Sequence, residues 1–438
     1  MHFVLFHSVY LKCNNMKKVF IFTFLLSGIF ALATHAQDYS QSQGEPAPVI
    51  YITENVYEQP DIIAVFNNTH SGYFRDPKAP RFVFVDQQGK WGLGIGGYVQ
   101  TKAEYDFGGI VNNVDFLPSY ISTGNQASSR YQMDASTSLL FLKLVGRSAW
   151  FGDFTVYTAG TWRGSGNTFK MHNAYMKFKY MTVGYNTGNF MDEAAVPFTL
   201  DYAGPCGMVF YRTVQAAFHY GFDWGLSMGI AFESPDVKGT SNEFATVGKQ
   251  RMPNIPIYFK YQFAEKTHVR LSGILRDLSY DNLISGKNHQ KLAWGAQATT
   301  LMTFGNLQIR GQYSIGEGIG SLFNDIANVG ADIAPNPDNT GSMMMMLTDG
   351  WYASAQYNFT PRLFASATYS QCSVRARNGY DIAHPDYYKR GQYVAANMCY
   401  NLTNNLQLGI EYLHGWRVDY EGDTNNANRV NLSAQFNF

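Results

Sequence analysis

The chain ends in VNLSAQFNF (430–438), in which apolar and polar side chains alternate without a break. Successive side chains of an extended strand point to opposite faces, so this pattern predicts a β-strand with one apolar face and one hydrated face. Similar patterns occur at 224–233, 255–263, 307–313, 351–359 and 406–412. The chain is therefore predicted to be all-β.

About sixteen such strands are predicted between Trp91 and Phe438. Their starts lie near residues 91, 130, 149, 167, 181, 209, 223, 255, 266, 290, 306, 351, 362, 391, 404 and 427. Short turns fall near 146–148, 180–182, 221–223, 264–266, 305–306, 360–361 and 403–405. Long polar loops cover 108–129, 190–208, 235–254, 281–289, 316–350, 375–390 and 417–426, and only the loop at 164–166 is short where a long one is expected.

An even number of strands, with short turns at one end and long loops at the other, is typical of a transmembrane antiparallel β-barrel of the outer membrane. A barrel of about sixteen strands is wide enough to hold an aqueous channel. A soluble sandwich would show the same alternation, but the strand count and the N-terminal segment favour the barrel. The aromatic content agrees, because 7 Trp, 30 Tyr and 32 Phe can form belts at the lipid–water boundary.

The N-terminal segment has the composition of a secretion signal. Residues 16–18 are Met-Lys-Lys, residues 19–34 form an apolar run, and Thr-His-Ala at 34–36 is a small-residue cleavage site. This pattern predicts a cleaved signal peptide, and an uncleaved membrane anchor is the alternative. Met16 is expected to be the true start and Gln37 the first mature residue. The predicted domains are a signal peptide (1–36), a periplasmic lead-in (37–90) and the barrel (91–438).

The rest of the sequence gives no sign of an enzyme, a metal site or a nucleic-acid-binding protein. Three of the 33 basic residues lie in residues 1–36, which leaves 30 against 33 acidic residues. Cys206, Cys372 and Cys399 are an odd number without CxxC spacing. No HExxH or paired-carboxylate spacing occurs, and the methionines at 343–346 are adjacent, which predicts an apolar patch in a loop. We therefore expect no catalysis and no cofactor.

Three stretches carry a family resemblance: WGLGIGGYVQTKAEYDF (91–107), MHNAYMKF (171–178) and GNFMDEAAVPFTLDYAGPCGMVFYRTVQAAFHY (188–220). The region from Trp91 to Arg212, about a quarter of the chain, resembles the DcaP-like trimeric outer-membrane porins. The resemblance implies a homotrimer. It also implies that the third external loop, residues 190–208, folds into the lumen and forms the constriction. The candidate constriction residues are Met191, Asp192, Glu193, Asp201 and Tyr202. The alternative is an ordinary solvated loop.

Strand phase assigns the basic residues to the lumen. Charges on the lipid face cost about 2–4 kcal/mol at the middle of the bilayer, so basic residues in strands are expected to point inward. The predicted basic wall consists of Lys177, Lys179, Lys260, Arg270, Arg276 and Arg310, with Arg130, Arg163 and Arg212 at strand ends. Rings of basic side chains favour anions, and guanidinium groups suit carboxylates. The alternative is that these charges only hydrate the lumen and pair with one another.

The sequence thus predicts a porin of the Gram-negative outer membrane that passes small hydrophilic solutes by diffusion. The expected solutes are anions, dicarboxylate-like ones among them. The expected surroundings are outer-membrane lipid and two further copies of the chain, without nucleic acid. A structural or adhesion barrel, closed by its loops and binding partners through them, is the alternative function.

Overall fold

Segments of alternating polarity form strands throughout the described chain. A computed structural model describes residues 50–52, 82–86, 90–122, 128–150 and 152–438. In these ranges the barrel wall has sixteen strands, labelled β1 to β16. They are Trp91–Phe107 (β1), Ser129–Asp134 with Leu139–Ser148 (β2), Gly152–Thr161 (β3), Lys170–Phe178 (β4), Met181–Thr187 (β5), Arg212–Gly221 (β6), Leu226–Glu233 (β7), Ile255–Ala264 (β8), Thr267–Asn282 (β9), Lys287–Phe304 (β10), Leu307–Glu317 (β11), Leu347–Asn358 (β12), Leu363–Arg375 (β13), Tyr388–Asn401 (β14), Leu406–Asp419 (β15) and Thr424–Asn437 (β16).

The wall is a closed antiparallel sheet. Each strand pairs with the next along the chain, and β16 returns to pair with β1, where Asn428 lies opposite Phe107 and Asn437 opposite Tyr98. Closure leaves no unpaired edge, which a bilayer requires because it offers the backbone no water. The prediction of a barrel of about sixteen strands is confirmed, and every predicted start lies within about four residues of the observed one.

The two faces of the wall differ as the alternation predicts. In β9, Leu271 is 64% exposed and Leu275 49%, whereas Arg270 and Arg276 are buried. The apolar face therefore points away from the barrel, towards lipid, and the polar face points inward. The inner face is the one that can carry chemistry.

Two parts of the wall differ from the prediction. The second strand is interrupted at residues 135–138, where Ser138 N donates to the Ala135 carbonyl and Thr137 Oγ1 donates to Gln100 Oε1 at 2.8 Å. Both halves still pair with β1. In addition, β9 and β10 continue further outward than their sequence pattern indicates, so only residues 283–286 connect them. Polar strand residues above the membrane lose the alternation that lipid imposes.

Two short strands precede the wall. Phe82–Val85 pairs antiparallel with the start of β1, and Ile50–Ile52 pairs parallel with Phe82–Phe84. They belong to the segment predicted as a lead-in, most of which lies outside the described residues, as does the predicted signal peptide. Among the helices of the described part, none is both long and apolar enough to cross a membrane.

The external loops share an apolar core at the barrel mouth. The long loop between β11 and β12 contains a hairpin, Ile333–Pro335 with Met343–Met345, and its Phe323 and Ile326 are fully buried. This core includes Phe116 from the loop after β1 and Phe190 from the third loop. The methionines of residues 343–346 fall in this region and are mostly buried. Loops that the sequence describes only as polar are therefore folded against one another.

Candidate functional site

The candidate site is the inner face of the barrel together with the third loop. Lys260, Arg270 and Arg310 each stand next to an apolar residue that is exposed on the outer face of the wall. The three basic side chains therefore lie on the inner face, with other polar residues of the same strands. Lys177 likewise faces Thr155 across the β3–β4 pair. Register thus brings side chains that are distant in sequence onto one inner surface.

The third loop contacts this inner surface along its length. Its hydrogen-bond partners come from every strand between β9 and β15. They are His268, Thr299, Gln312, Tyr352, Ser366, Ser370, Tyr393, Asn397 and Glu411. Many of these bonds are to the loop's backbone: the hydroxyl of Tyr352 donates to the Ala195 carbonyl at 2.9 Å, and that of Ser366 donates to the Phe198 carbonyl at 2.8 Å. Such bonds fix a segment that has no regular secondary structure of its own.

Asp192 is held at the start of the loop. Its Oδ2 lies 2.8 Å from His268 Nε2 and accepts a hydrogen bond from Thr299 Oγ1 at 2.6 Å. Burial alone would raise the pKa of Asp192, but the hydrogen bond with His268 and the nearby charge of Arg270 outweigh it and lower the pKa to about 2. Asp192 therefore carries a negative charge at neutral pH. Glu193, the next residue, is exposed and accepts a hydrogen bond from Thr187 Oγ1 at 2.5 Å.

Asp201 has the opposite electrostatic character. Its carboxylate is 1% exposed and accepts hydrogen bonds from Phe116 N at 3.1 Å and Tyr393 Oη at 3.2 Å. Burial, followed by the charges of Asp115 and Glu411, raises the pKa of Asp201 to about 7. Asp201 can therefore take up a proton near neutral pH. Two acids of one loop, nine residues apart in sequence, differ in charge because their surroundings differ.

Basic and aromatic side chains meet on strands β4 to β9. The guanidinium carbon of Arg270 lies 3.9 Å from the centre of the Tyr258 ring, and the Tyr258 hydroxyl lies 3.0 Å from His219 Nδ1. Lys260 is the register partner of Arg270. Lys177 is exposed and close enough to His219 to act on it electrostatically. We call Lys177, His219, Tyr258, Lys260 and Arg270 the basic cluster.

The basic cluster adjoins the acids of the third loop. Arg270 interacts electrostatically with Asp192 and Glu193, and Lys260 interacts with Asp192. Because Lys177 and Glu193 are exposed and Lys260 is half-buried, this part of the inner surface is in contact with solvent. Charges of both signs therefore line one hydrated region.

Other predicted basic residues pair with the external loops. Arg276 forms a buried ion pair with Asp332 at 3.2 Å. Arg163 pairs with Asp115, and its guanidinium lies 4.6 Å from the centre of the Tyr202 ring. These two arginines connect the wall or its edge to loops. Met191 is also buried, as part of the apolar core at the mouth.

Arg130 belongs to a buried ionic network. It pairs with Asp106 at 3.3 Å, and Asp106 also pairs with Arg429 at 2.5 Å. Glu104 lies 3.4 Å from Arg429 and 3.1 Å from Lys102. Of these residues only Arg130 is among those predicted from the sequence. The signal was present, since Lys102, Glu104 and Asp106 alternate along β1, but which cations face them depends on the register with β16.

Two predicted wall residues lie elsewhere. Lys179 occupies the turn between β4 and β5 with φ of 42°, and its ammonium lies 4.8 Å from the Tyr180 ring centre. The turn ends the alternation on which its inward orientation depends. Arg212, the first residue of β6, shares a face with Val214, which is 56% exposed, and stacks on Phe210. A basic residue at a strand end can point outward without the cost of a charge in lipid, because its charged group lies outside the hydrocarbon region of the bilayer.

No group of three or more His, Cys, Asp or Glu side chains is arranged to hold a metal ion in the part of the chain that the structure describes. Several residues that the sequence does not single out contact the third loop or belong to the basic cluster, among them His268, Tyr258 and Glu411. The alternation of polarity places each of them on the inner face, but it places many other polar residues there as well and does not distinguish them.

Comparison with known proteins agrees with this architecture. The family model of the DcaP outer membrane protein matches residues 85–313. The outer membrane channel DcaP of Acinetobacter baumannii has a TM-score of 0.71 at 18% identity, over 81% of this chain and 99% of that chain. OmpT of Vibrio cholerae has a TM-score of 0.52 at 10% identity, over 81% and 100%. An anion-selective porin from Comamonas acidovorans has a TM-score of 0.51 at 12% identity, over 80% and 100%.

No curated protein matches the sequence. At these identities the structural likenesses establish the fold, a porin-type barrel. The family match, in contrast, extends over more than half of the chain, from just before β1 into β11. The chain therefore belongs to the DcaP outer membrane protein family and is a porin of the Gram-negative outer membrane.

Proposed function

We propose that this porin favours small hydrophilic anions, dicarboxylate-like solutes among them, and that the third loop forms its constriction. The observation that carries the proposal is the basic cluster beside Asp192 and Glu193. Lys177 and Lys260 contribute two positive charges to a hydrated region of the inner surface, and the buried guanidinium of Arg270 adds a third beside it. Fixed cations beside a narrow passage attract anions, and the low dielectric of the surrounding protein strengthens the effect.

Asp192 and Glu193 limit this preference. Two carboxylates beside the cations produce a field across the passage, which orients solutes that carry separated charges. A solute with two carboxylates can contact two cations at once, whereas a monovalent ion cannot. A porin of the same fold from Comamonas acidovorans is anion-selective, in keeping with this preference.

Single-channel recording tests the proposal. The purified protein in a planar bilayer, under a salt gradient, should give discrete conductance steps and a reversal potential on the anion side. Replacing Lys177 and Lys260 with Gln should move that potential towards cations. Replacing Lys266, which lies in the turn between β8 and β9, is the matched control and should leave it unchanged. A cation-selective wild-type channel would contradict the proposal.

The packing of the external loops favours a second candidate, a barrel closed at its mouth whose function is structural or adhesive. The loops after β1, β11 and β13 share a buried core that includes Phe116, Phe323 and Tyr380. Such a core would stabilise a closed mouth and a fixed external surface. Absence of any conductance step from folded protein would favour this candidate over the channel.

We also propose a homotrimer and the domain division that the sequence predicts, with a signal peptide over 1–36 and a periplasmic lead-in over 37–90. The domain division rests on the sequence patterns, and the homotrimer rests on the family resemblance. Native mass spectrometry of the purified protein should give three copies per particle. N-terminal sequencing of the same material should begin at Gln37. A monomer would contradict the homotrimer, and a retained apolar segment would contradict the cleaved signal peptide.

A further inference from the structure

Glu411 on β15 faces Leu200 and Asp201 of the third loop. Its Oε2 accepts a hydrogen bond from Leu200 N at 2.7 Å, and its Oε1 accepts one from Asp201 N at 2.6 Å. One carboxylate thus receives two consecutive backbone N–H groups. Glu411 is 1% exposed, so water does not compete for these bonds. Hydrogen bonds to a charged acceptor are roughly twice as strong as neutral ones.

Two side chains of the wall orient the Glu411 carboxylate independently of the loop. Register places Asn397 of β14 and Asn431 of β16 directly opposite Glu411. Asn397 Nδ2 donates to Oε2 at 3.1 Å, and Asn431 Nδ2 donates to Oε1 at 3.2 Å. The two amides fix the plane of the carboxylate from either side, so that both oxygens present lone pairs to the loop. An acceptor fixed in this way loses little side-chain entropy when the loop binds.

Glu411 accepts hydrogen bonds from two loop amides, whereas Ser370 accepts only one, from Gly207 N at 2.8 Å. Tyr352 and Ser366 donate hydroxyl protons to loop carbonyls, whereas Glu411 accepts from loop amides. A buried backbone N–H without an acceptor costs about 1–3 kcal/mol, and here two N–H groups depend on one side chain. Removing the carboxylate therefore affects the loop backbone more than removing a single hydroxyl would.

From these contacts we infer that Glu411 is a positioning residue, which holds the Leu200–Asp201 part of the third loop against the β14–β16 wall. The inference rests on the proposed function in one respect: if the third loop forms the constriction, Glu411 also determines its width. Glu411 itself need not contact a solute. Its effect on the channel is transmitted through the loop backbone.

Glu411→Gln tests this inference, because the amide keeps the size of the side chain but offers one acceptor oxygen to two N–H groups. Hydrogen exchange measured by mass spectrometry on the full-length protein should show faster exchange, by about tenfold, in peptides that contain residues 200 and 201. Glu104→Gln is the matched control. Glu104 is also a buried wall carboxylate, but its partners are Lys102, Arg429 and Gln132 rather than the third loop.

Conductance of the same samples separates the inference from the proposed function. Faster exchange with altered conductance supports both. Faster exchange with unchanged conductance supports the positioning role and contradicts the assignment of the third loop as constriction. Unchanged exchange in folded Glu411→Gln protein overturns the inference, whatever the conductance. Should Glu411→Gln fail to assemble, Glu411→Asp keeps the charge but shortens the reach, and the same comparison applies to it.

Discussion

Oδ2 of Asp192 lies 2.8 Å from Nε2 of His268, although the two residues are 76 positions apart in sequence. Asp192 belongs to the third loop and His268 to β9, and both side chains are almost completely buried. The contact fixes the start of the loop against the wall, next to Arg270 of the basic cluster. It also keeps one negative charge close to the cations that we propose attract anions.

Asp192→Asn should increase the anion preference of the channel by the same amount at about pH 5 and about pH 8. The pKa of Asp192 is lowered to about 2, so its ionised form is favoured in the folded protein. The stability that it contributes is present above the ordinary value of 3.8 and is lost only as the pH falls towards 2. Reversal potentials of the wild type and the variant measure this. A difference that disappears at about pH 5 would contradict a lowered pKa.

Asp201 should make the folded barrel less stable as the pH rises. Its pKa is raised from 3.8 to about 7, so the protonated form is favoured in the folded state. The associated stability is fully present below 3.8 and is lost as the pH rises through about 7. The temperature at which the heat-modifiable band disappears on a gel should therefore fall between about pH 5 and about pH 8. Asp201→Asn should reduce that fall, whereas Glu193→Gln in the same loop should not.

The wall could be predicted from the sequence because its physical constraint is periodic. Lipid requires apolar side chains at every second position, and residues 430–438 show this directly. The constraint ends where lipid ends, which is why the outer ends of β9 and β10 cannot be read from alternation. The break at residues 135–138 has no periodic signal either, because it depends on local hydrogen bonds of Thr137 and Ser138. The fold of the external loops has no periodic signal at all, since Phe323 and Ile326 pack against residues from other loops.

The candidate site could be predicted only in part. Strand phase indicates that Arg270 and Arg276 point inward, and both do. It cannot show that Arg276 is paired with Asp332 while Arg270 belongs to the basic cluster, because their partners come from loops and from other strands. Glu411 illustrates the same limit. Its neighbours on the wall follow from register, but its contact with Leu200 depends on the path of the third loop.

Arg276→Gln should loosen the long loop between β11 and β12 without opening the wall. Arg276 pairs with Asp332 and donates to the Gly318 carbonyl at 2.5 Å, both in or beside that loop. Breaking a buried ion pair costs about 3–5 kcal/mol, mostly because the partner charge stays buried. Limited proteolysis should therefore cut within residues 318–346 of the variant. Adding Asp332→Asn should restore part of the resistance, and a purely additive double variant would contradict the pairing.

Deletion of Phe438 should lower the yield of folded barrel. The wall closes at this residue, where Phe438 N donates to the Gly97 carbonyl at 3.0 Å and Gly97 N donates to the Phe438 carbonyl at 2.9 Å. Without it, the last pair of hydrogen bonds between β16 and β1 cannot form. The fraction of heat-modifiable protein in the outer membrane measures the effect. Phe438→Tyr keeps both backbone bonds and an aromatic ring, so its yield should match the wild type.

Charge changes in the basic cluster and charge changes in the third loop should move the ion preference of the channel in opposite directions. Replacing Lys260 and Arg270 with Gln should shift reversal potentials towards cations, and replacing Asp192 and Glu193 with Asn and Gln should shift them towards anions. Each unit charge at about 4 Å is worth about 1–4 kcal/mol, depending on how much water separates the groups. Both shifts should shrink in about 1 M salt, where the Debye length is about 3 Å.

Removing the loop itself should change conductance as well as selectivity. Deleting residues 192–202 takes away the segment that contacts Tyr352, Ser366 and Glu411, so the passage should widen and single-channel conductance should rise. Deletion of residues 283–286, in the external β9–β10 connection, is the control and should leave conductance unchanged. If neither the charge changes nor the loop deletion altered the current, the third loop would not form the constriction. The barrel assignment would be unaffected, because it rests on the sixteen-strand wall.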